Sequence, residues 1–145
     1  MAQRSIRSII EQQEVIAAPE SMMVGEAARL MREKKAGAIL IVNEGRLAGI
    51  FTERDALNRV VAEGRDAKIT PLAEVMTRNP RTIHPDRPFP EALQIMHDGG
   101  FRNVPVVENG RPLGIISASD ALGPELKDFI FELLRQEQAG DVFSG

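Results

Sequence analysis

Gly49-Ile50-Phe51-Thr52-Glu53-Arg54-Asp55-Ala56-Leu57 recurs 65 residues later as Gly114-Ile115-Ile116-Ser117-Ala118-Ser119-Asp120-Ala121-Leu122. Outward from this motif the same offset aligns residues 26–57 with 91–122 without a gap, and 11 of those 32 positions are identical. Further upstream the copies slip by one residue, so that His84-Pro85-Asp86 matches Ala18-Pro19-Glu20. The 145 residues therefore read as two similar halves. One such half alone would bury only about 60% of the surface its unfolded chain exposes; two halves packed face to face remove that shortfall.

Each half carries the periodicities of strand, helix, strand, strand, helix. In the first, residues 15–17 suit a short strand closed by Pro19, and Val24, Ala27, Ala28 and Met31 fall on one helix face. Phe89, Ala92, Leu93 and Met96 repeat that spacing in the second. Residues 38–42 and 47–51, with their counterparts 104–107 and 113–116, are rich in β-branched and apolar side chains. Asn43-Glu44-Gly45-Arg46 and Glu108-Asn109-Gly110-Arg111 separate them, and Asn-Gly signals a type I′ hairpin turn. A helix over 53–63 follows the first motif, whereas Gly123-Pro124 interrupts the second and opens a new helix.

The expected organisation is a lead-in over 1–14, with Ile6, Ile9 and Ile10 at helical spacing, and repeat one over 15–63. A connector over 64–71, with residues 72–76 as one helical turn, leads into repeat two over 72–122. A C-terminal helix and tail fill 123–145, the tail loose over 140–145. The fold class is α/β: two βαββα repeats about a pseudo-twofold axis. Leu126, Phe129, Ile130, Leu133 and Leu134 form an apolar stripe that needs either its own domain or a second chain to cover it.

Composition excludes several functions. A net charge of −3 and a pI near 5.5 give no pull toward nucleic acid or anionic membrane. With no Tyr or Trp, base stacking has little to use. No apolar run reaches the ~18–20 residues of a membrane span, and no cysteine offers a disulfide or thiol. The expectation is a cytoplasmic protein with no nucleic-acid or membrane partner.

Thr52-x-x-Asp55 and Ser117-x-x-Asp120 carry the candidate chemistry. As helix caps they satisfy orphan N–H groups. A reciprocal capping box prefers Glu or Gln, however, and both copies have the shorter Asp. Each motif also lies just past the carboxyl end of a strand, where open α/β arrangements bind ligands. A carboxylate there can accept both hydrogen bonds of a ribose diol, and the hydroxyl with the helix N-terminus can meet phosphate.

The tandem plan resembles a cystathionine-β-synthase (CBS) domain pair, or Bateman module, of the stand-alone bacterial type. The resemblance rests on both motif copies, on residues 75–86 (Val-Met-Thr-Arg-Asn-Pro-Arg-Thr-Ile-His-Pro-Asp) and on residues 101–107 (Phe-Arg-Asn-Val-Pro-Val-Val). It implies a regulatory module whose clefts accept AMP, ADP, ATP or S-adenosylmethionine, with no required cofactor, and a homodimer that signals to a target protein. By position, Asp55 and Asp120 would bind ribose, Thr52 and Ser117 would approach phosphate, and Arg102 and Arg54 would add positive charge. Ile16, Ala17, Thr82, Ile83 and His84 would hold the base. Gly37-Ala38 stands where repeat two has Arg102-Asn103, and Ala118-Ser119 where repeat one has Glu53-Arg54, so unequal sites are expected.

Catalysis finds little support. His84 and His97 lack any ligand set of metal-binding spacing, so no metal is expected. Ser117, His97 and Asp120 have no nucleophile elbow around them. Gly99-Gly100 reads as a helix stop, not a phosphate loop. The rival to a nucleotide sensor is a dimeric scaffold of the same fold whose clefts bind no nucleotide.

Overall fold

The computed structural model describes residues 3–144, with side chains through 137. Repeat one runs β1 (Ala17–Ala18), α2 (Val24–Lys34), β2 (Ala38–Asn43), β3 (Arg46–Thr52) and α3 (Glu53–Asp55), which passes into a π-helical stretch, Ala56–Val61. Repeat two runs α4 (Phe89–Gly99), β5 (Asn103–Glu108), β6 (Arg111–Ser117) and a 3₁₀ turn, Ala118–Asp120. The helix α1 (Ile6–Ile10) precedes the first repeat and α5 (Gly123–Ser144) follows the second. Between the repeats lie a 3₁₀ turn (Leu72–Glu74) and β4 (Thr77–Arg78). The α/β class and the paired repeats are as the sequence predicts.

The first sheet has the order β1-β2-β3-β4, with β1 parallel to β2 and the remaining pairs antiparallel. The second is the hairpin β5-β6, flanked by a single parallel bridge from Ile83 to Val106. Both hairpins turn on two residues of positive φ, Glu44-Gly45 and Asn109-Gly110. That is the type I′ geometry, whose twist matches that of the strands. Ala38, Leu40, Ile50, Leu47 and Ile115 form an apolar junction between the sheets, with Ile50 and Ile115 equivalent in the repeat.

The lead-ins of the two halves are exchanged. Leu72, Val75 and Met76 are buried in the core of repeat one, whereas Ile6 and Ile10 are buried in the core of repeat two. The backbone repeats the arrangement. The Leu72 N–H donates to the Met22 carbonyl and the Ile6 N–H to the Arg87 carbonyl. Val24 N–H, opening α2, donates to Thr70 O; Phe89 N–H, opening α4, donates to Arg4 O. The connector and the N-terminal segment thus satisfy the orphan donors of helices that lack a side-chain cap. Ile6 and Ile10 of the lead-in, with Ile9 packed against them, therefore belong to the core of repeat two.

Where β4 pairs with β3 at Ile50 through Thr77, the equivalent Ile115 is met by a side chain. The Gln13 amide donates to Ile115 O at 2.8 Å and accepts from Ile115 N–H at 3.1 Å. One amide group thus satisfies at Ile115 the backbone groups that β4 satisfies at Ile50.

Glycine is required where these segments cross. A Cβ on Gly49 would lie 2.7 Å from Thr77 O and 3.0 Å from Met76 Sδ; one on Gly114 would lie 2.8 Å from Gln13 Oε1 and 3.0 Å from Ile10. The first obstacle is backbone, the second begins with a side-chain end that can swing away. Gly49→Ala is expected to cost about 1–3 kcal/mol and to exceed Gly114→Ala when both are compared by urea denaturation. Equal losses would contradict this account.

Several local expectations shift. β1 begins at Ala17, where pairing with Leu40 starts, and Val15 is exposed. Ala28 faces solvent, leaving Val24, Ala27 and Met31 as the buried face of α2. α5 continues to Ser144, across most of the segment expected to be loose; Gly145 lies outside the described residues. The apolar stripe on α5 splits. Phe129 packs on the second core, edge-on to His97, while Leu126, Ile130 and Leu134 stay exposed with Phe131. No helix among the described residues is long and apolar enough to cross a membrane.

Candidate functional site

β3 and β6 each deliver a hydroxyl at their carboxyl ends, and the turn that follows returns a carboxylate to it. Thr52 is extended, at φ −119° and ψ 169°. Its N–H and its hydroxyl both donate to Asp55 Oδ2, at 3.0 and 3.1 Å, and the Asp55 N–H donates back to Thr52 Oγ1 at 3.2 Å. In the second copy the Ser117 N–H donates to Asp120 Oδ2 at 2.7 Å. The Ser117 hydroxyl is 3.4 Å from that oxygen and 2.6 Å from the Ser119 hydroxyl. The reciprocal capping box, for which Glu or Gln is the preferred residue, is thus closed here by the shorter Asp in both copies. An extended cap residue turns its N–H and its hydroxyl toward the third residue, so one short carboxylate oxygen reaches both.

Each carboxylate keeps its second oxygen outside the box. Asp55 Oδ1 is 3.6 Å from Arg59 Nε, and Arg59 also donates to the carbonyls of Val75 and Met76, at 3.3 and 2.9 Å. Asp55 is thereby tied to the exchanged segment. Arg4 makes the corresponding tie in repeat two, donating to Asp120 O at 2.9 Å and pairing with Glu125. Its hydrogen bonds hold the Glu125 carboxyl below the usual carboxylate range.

Between the two motifs opens a cleft of about 600 Å³. This volume is within the range that takes one small organic ligand. Thr52 and Asp55 line one side, Ser117 and Ser119 the other, and Ile50, Pro80 and Phe101 give it apolar walls. Phe101 reaches the cleft because α4 ends on Gly99-Gly100. Gly100 takes positive φ, and a Cβ on Gly99 would fall 2.0 Å from the Phe101 ring. The helix stop read from the sequence thus also seats a wall of the cleft.

Charge in the cleft comes from Arg54, Arg81 and Arg102, with Glu53 and Asp55 opposing. Arg54 Nη1 donates to Gly100 O at 2.7 Å, so repeat one holds the end of α4. Neither Arg81 nor Arg102 has an ion-pair partner among the described residues.

Of the residues expected at a site, the cleft brings together Thr52, Arg54, Asp55, Arg102 and Ser117. Asp120 stands behind Ser117, bonded to it but outside the lining. Ile16, Ala17, Thr82, Ile83 and His84 are also outside it. Ile16 O accepts from Leu40 N–H, Ala17 pairs with Leu40, and Ile83 is buried against Val106. His84 stands near Asp86 and Glu108, in reach of a shared metal ion, but Arg7 already bonds both carboxylates there, at 3.0 and 3.3 Å. Sequence reasoning missed Arg81 as a site residue. It follows Pro80 just after β4, and only the pairing of β4 with β3 carries it to the cleft.

A family model for the CBS domain matches residues 6–62 and 72–123. The chain belongs to the CBS domain family. The two matched segments open on Ile6 and Leu72, the residues that the exchange of lead-ins makes equivalent. CBS domain-containing protein CBSCBSPB5 of Arabidopsis thaliana is 36% identical over 108 residues, 74% of this chain, and the chain spans only 20% of that relative's length. CBS domain-containing protein YhcV of Bacillus subtilis is 33% identical over 116 residues, covering 80% of this chain and 81% of its own. Among solved structures, the CBS domain pair of protein MJ0100, in complex with 5′-methylthioadenosine and S-adenosyl-L-methionine, superposes with a TM-score of 0.74. It is 28% identical and covers 82% of this chain and 93% of its own.

Proposed function

We propose that this CBS pair is a regulatory module that binds an adenosine-containing ligand in the cleft between its repeats and passes the resulting shift to a partner protein. The observation that carries this reading is the cleft itself. It joins a ribose-competent carboxylate, apolar walls and three arginines at the carboxyl ends of two strands, in a chain that is acidic as a whole. The adenosyl complex of the MJ0100 pair supports the ligand class. The ties from Asp55 through Arg59 and from Asp120 through Arg4 give the shift a route into both exchanged segments.

A dye-based thermal shift with AMP, ADP, ATP and S-adenosylmethionine tests the reading. A ligand at about 100 times its dissociation constant adds about 2.7 kcal/mol, on the order of 5–10 °C for a chain of this size. A flat response to all four would leave the scaffold reading in front. That rival draws on one observation: the hydroxyls and one oxygen of each carboxylate are already spent on local caps.

The module acts as a homodimer in this proposal. Leu57 and Val61 are 60% and 69% exposed, and their repeat equivalents Leu122 and Leu126 are 55% and 45% exposed. Two matched apolar faces, continued by Ile130, Phe131 and Leu134 on α5, suit a symmetric, self-complementary contact. Light scattering on the wild type is expected to give twice the chain mass, and Ile130→Glu to lower it. A wild type that stays monomeric at every concentration, or an unchanged Ile130→Glu dimer, would remove α5 from the interface.

A further inference from the structure

The charge distribution around the cleft is lopsided in a way that bears on which adenosyl ligand it takes. Arg59 lies against Asp55 and offsets its charge. Within the lining that leaves Arg54, Arg81 and Arg102 opposed by Glu53, with the Asp120 carboxylate one layer back behind Ser117. The other motif contributes only neutral groups to the lining: Ser117, Ala118 and Ser119. Arg54 spends a donor on the Gly100 carbonyl, which leaves its charge intact. Arg81 and Arg102 are exposed, and no carboxylate among the described residues pairs with either.

From this we infer that the cleft selects by charge: it takes adenosine carrying one or more phosphates and rejects S-adenosylmethionine, with Arg81 as a specificity-determining residue beside Arg102. The inference rests on the adenosyl reading above and narrows it. A phosphate group brings roughly −1.5 to −2 charge at neutral pH and acceptor oxygens that suit guanidinium forks. S-Adenosylmethionine brings a fixed sulfonium and an ammonium against one carboxylate, so its net charge is positive. Cleft walls of low dielectric focus a field of one sign and make both the attraction and the repulsion stronger than they would be on an open surface. The two arginines come from different places in the chain, Arg81 after β4 and Arg102 before β5. A phosphate chain held between them would therefore bear on the segment that joins the repeats.

Isothermal titration of the full chain with adenosine, 5′-methylthioadenosine, AMP, ADP, ATP and S-adenosylmethionine separates the possibilities. Adenosine and methylthioadenosine are neutral and report the base and ribose contacts alone. AMP is expected to bind about tenfold or more tighter than adenosine, the increment of a charge-assisted hydrogen bond. S-Adenosylmethionine is expected to bind more weakly than methylthioadenosine. Arg81→Gln and Arg102→Gln should each shrink the ratio of AMP to adenosine affinity while leaving adenosine itself unchanged, and Arg81→Lys should restore part of it. Added salt should compress the same ratio. Because both side chains are exposed and neither has an ion-pair partner among the described residues, these variants are expected to keep the wild-type melting temperature. S-Adenosylmethionine binding as tightly as AMP overturns the inference. So does an Arg81→Gln variant that loses adenosine and AMP affinity in equal proportion, or one that loses neither. If none of the six compounds binds, the adenosyl reading itself falls and takes the inference with it.

Discussion

Asp55→Ala is expected to erase the thermal shift given by an adenosyl ligand, while Asp120→Ala keeps most of it. Both aspartates close a cap with the preceding hydroxyl, and Asp55 also pairs with Arg59, so each substitution should lower the ligand-free melting temperature, Asp55→Ala somewhat more. Loss of a cap costs about 0.5–2 kcal/mol, and that common loss serves as an internal control. The difference lies in which carboxylate lines the cleft. Asp55 lines the cleft and keeps Oδ1 outside its cap, whereas Asp120 stands behind Ser117. A ribose diol held by Asp55 loses two charge-assisted hydrogen bonds in the variant. At about 1.5–3 kcal/mol each, that is enough to move binding out of the measurable range. Equal loss of the ligand-induced shift in both variants would mean that the cleft is used symmetrically.

Ile6→Ala is expected to destabilise the whole protein by about 2–5 kcal/mol, the range for removing a buried Ile or Leu side chain from a core. Ile6 has no exposed surface and packs with Ile83, Phe89 and Val104, all of repeat two. A residue near the chain start that merely leads into the fold would tolerate the change within about 0.5 kcal/mol. Chemical denaturation of the variant separates these cases by a wide margin. The expected result also includes an unchanged single transition, because the lost contacts lie within the shared structure. A small effect would mean that α1 does not occupy this core in solution.

The repeat, the helix–strand–strand order common to both halves and both hairpin turns were legible because each leaves a periodic or compositional trace. The 65-residue offset is visible by eye, and Asn109-Gly110 names its own turn. The exchange of lead-ins left no such trace. Arg4–Ile10 and Thr70–Met76 are equivalent in space yet share almost no side chains, and only their apolar spacing is common. Periodicity reports that a face is buried without saying against what. The helix over 53–63 was legible as a helix but not as π-helical, since widened hydrogen bonding after Asp55 has no composition of its own. At the site, Thr52, Asp55, Arg102 and Ser117 were found by motif. Arg81 was missed because an arginine after proline looks like any solvated side chain until β4 docks. Asp120 was expected beside the cleft and lies one layer back.

The exchange has a consequence for how the two halves come into being and act. Neither is an autonomous unit, because each lends a wedge to the other's interior. During synthesis, the first half cannot complete its core until residues 72–78 have followed it, although the segment destined for the second half is made first. Cutting the chain in the connector would yield two fragments, each missing a piece that the other carries, and mixing them should rebuild the native protein where neither alone folds. The same interlock ties each half to the other through both lead-in segments. A pull applied to one is felt inside the other, so a message written at the cleft needs no moving joint to cross the molecule.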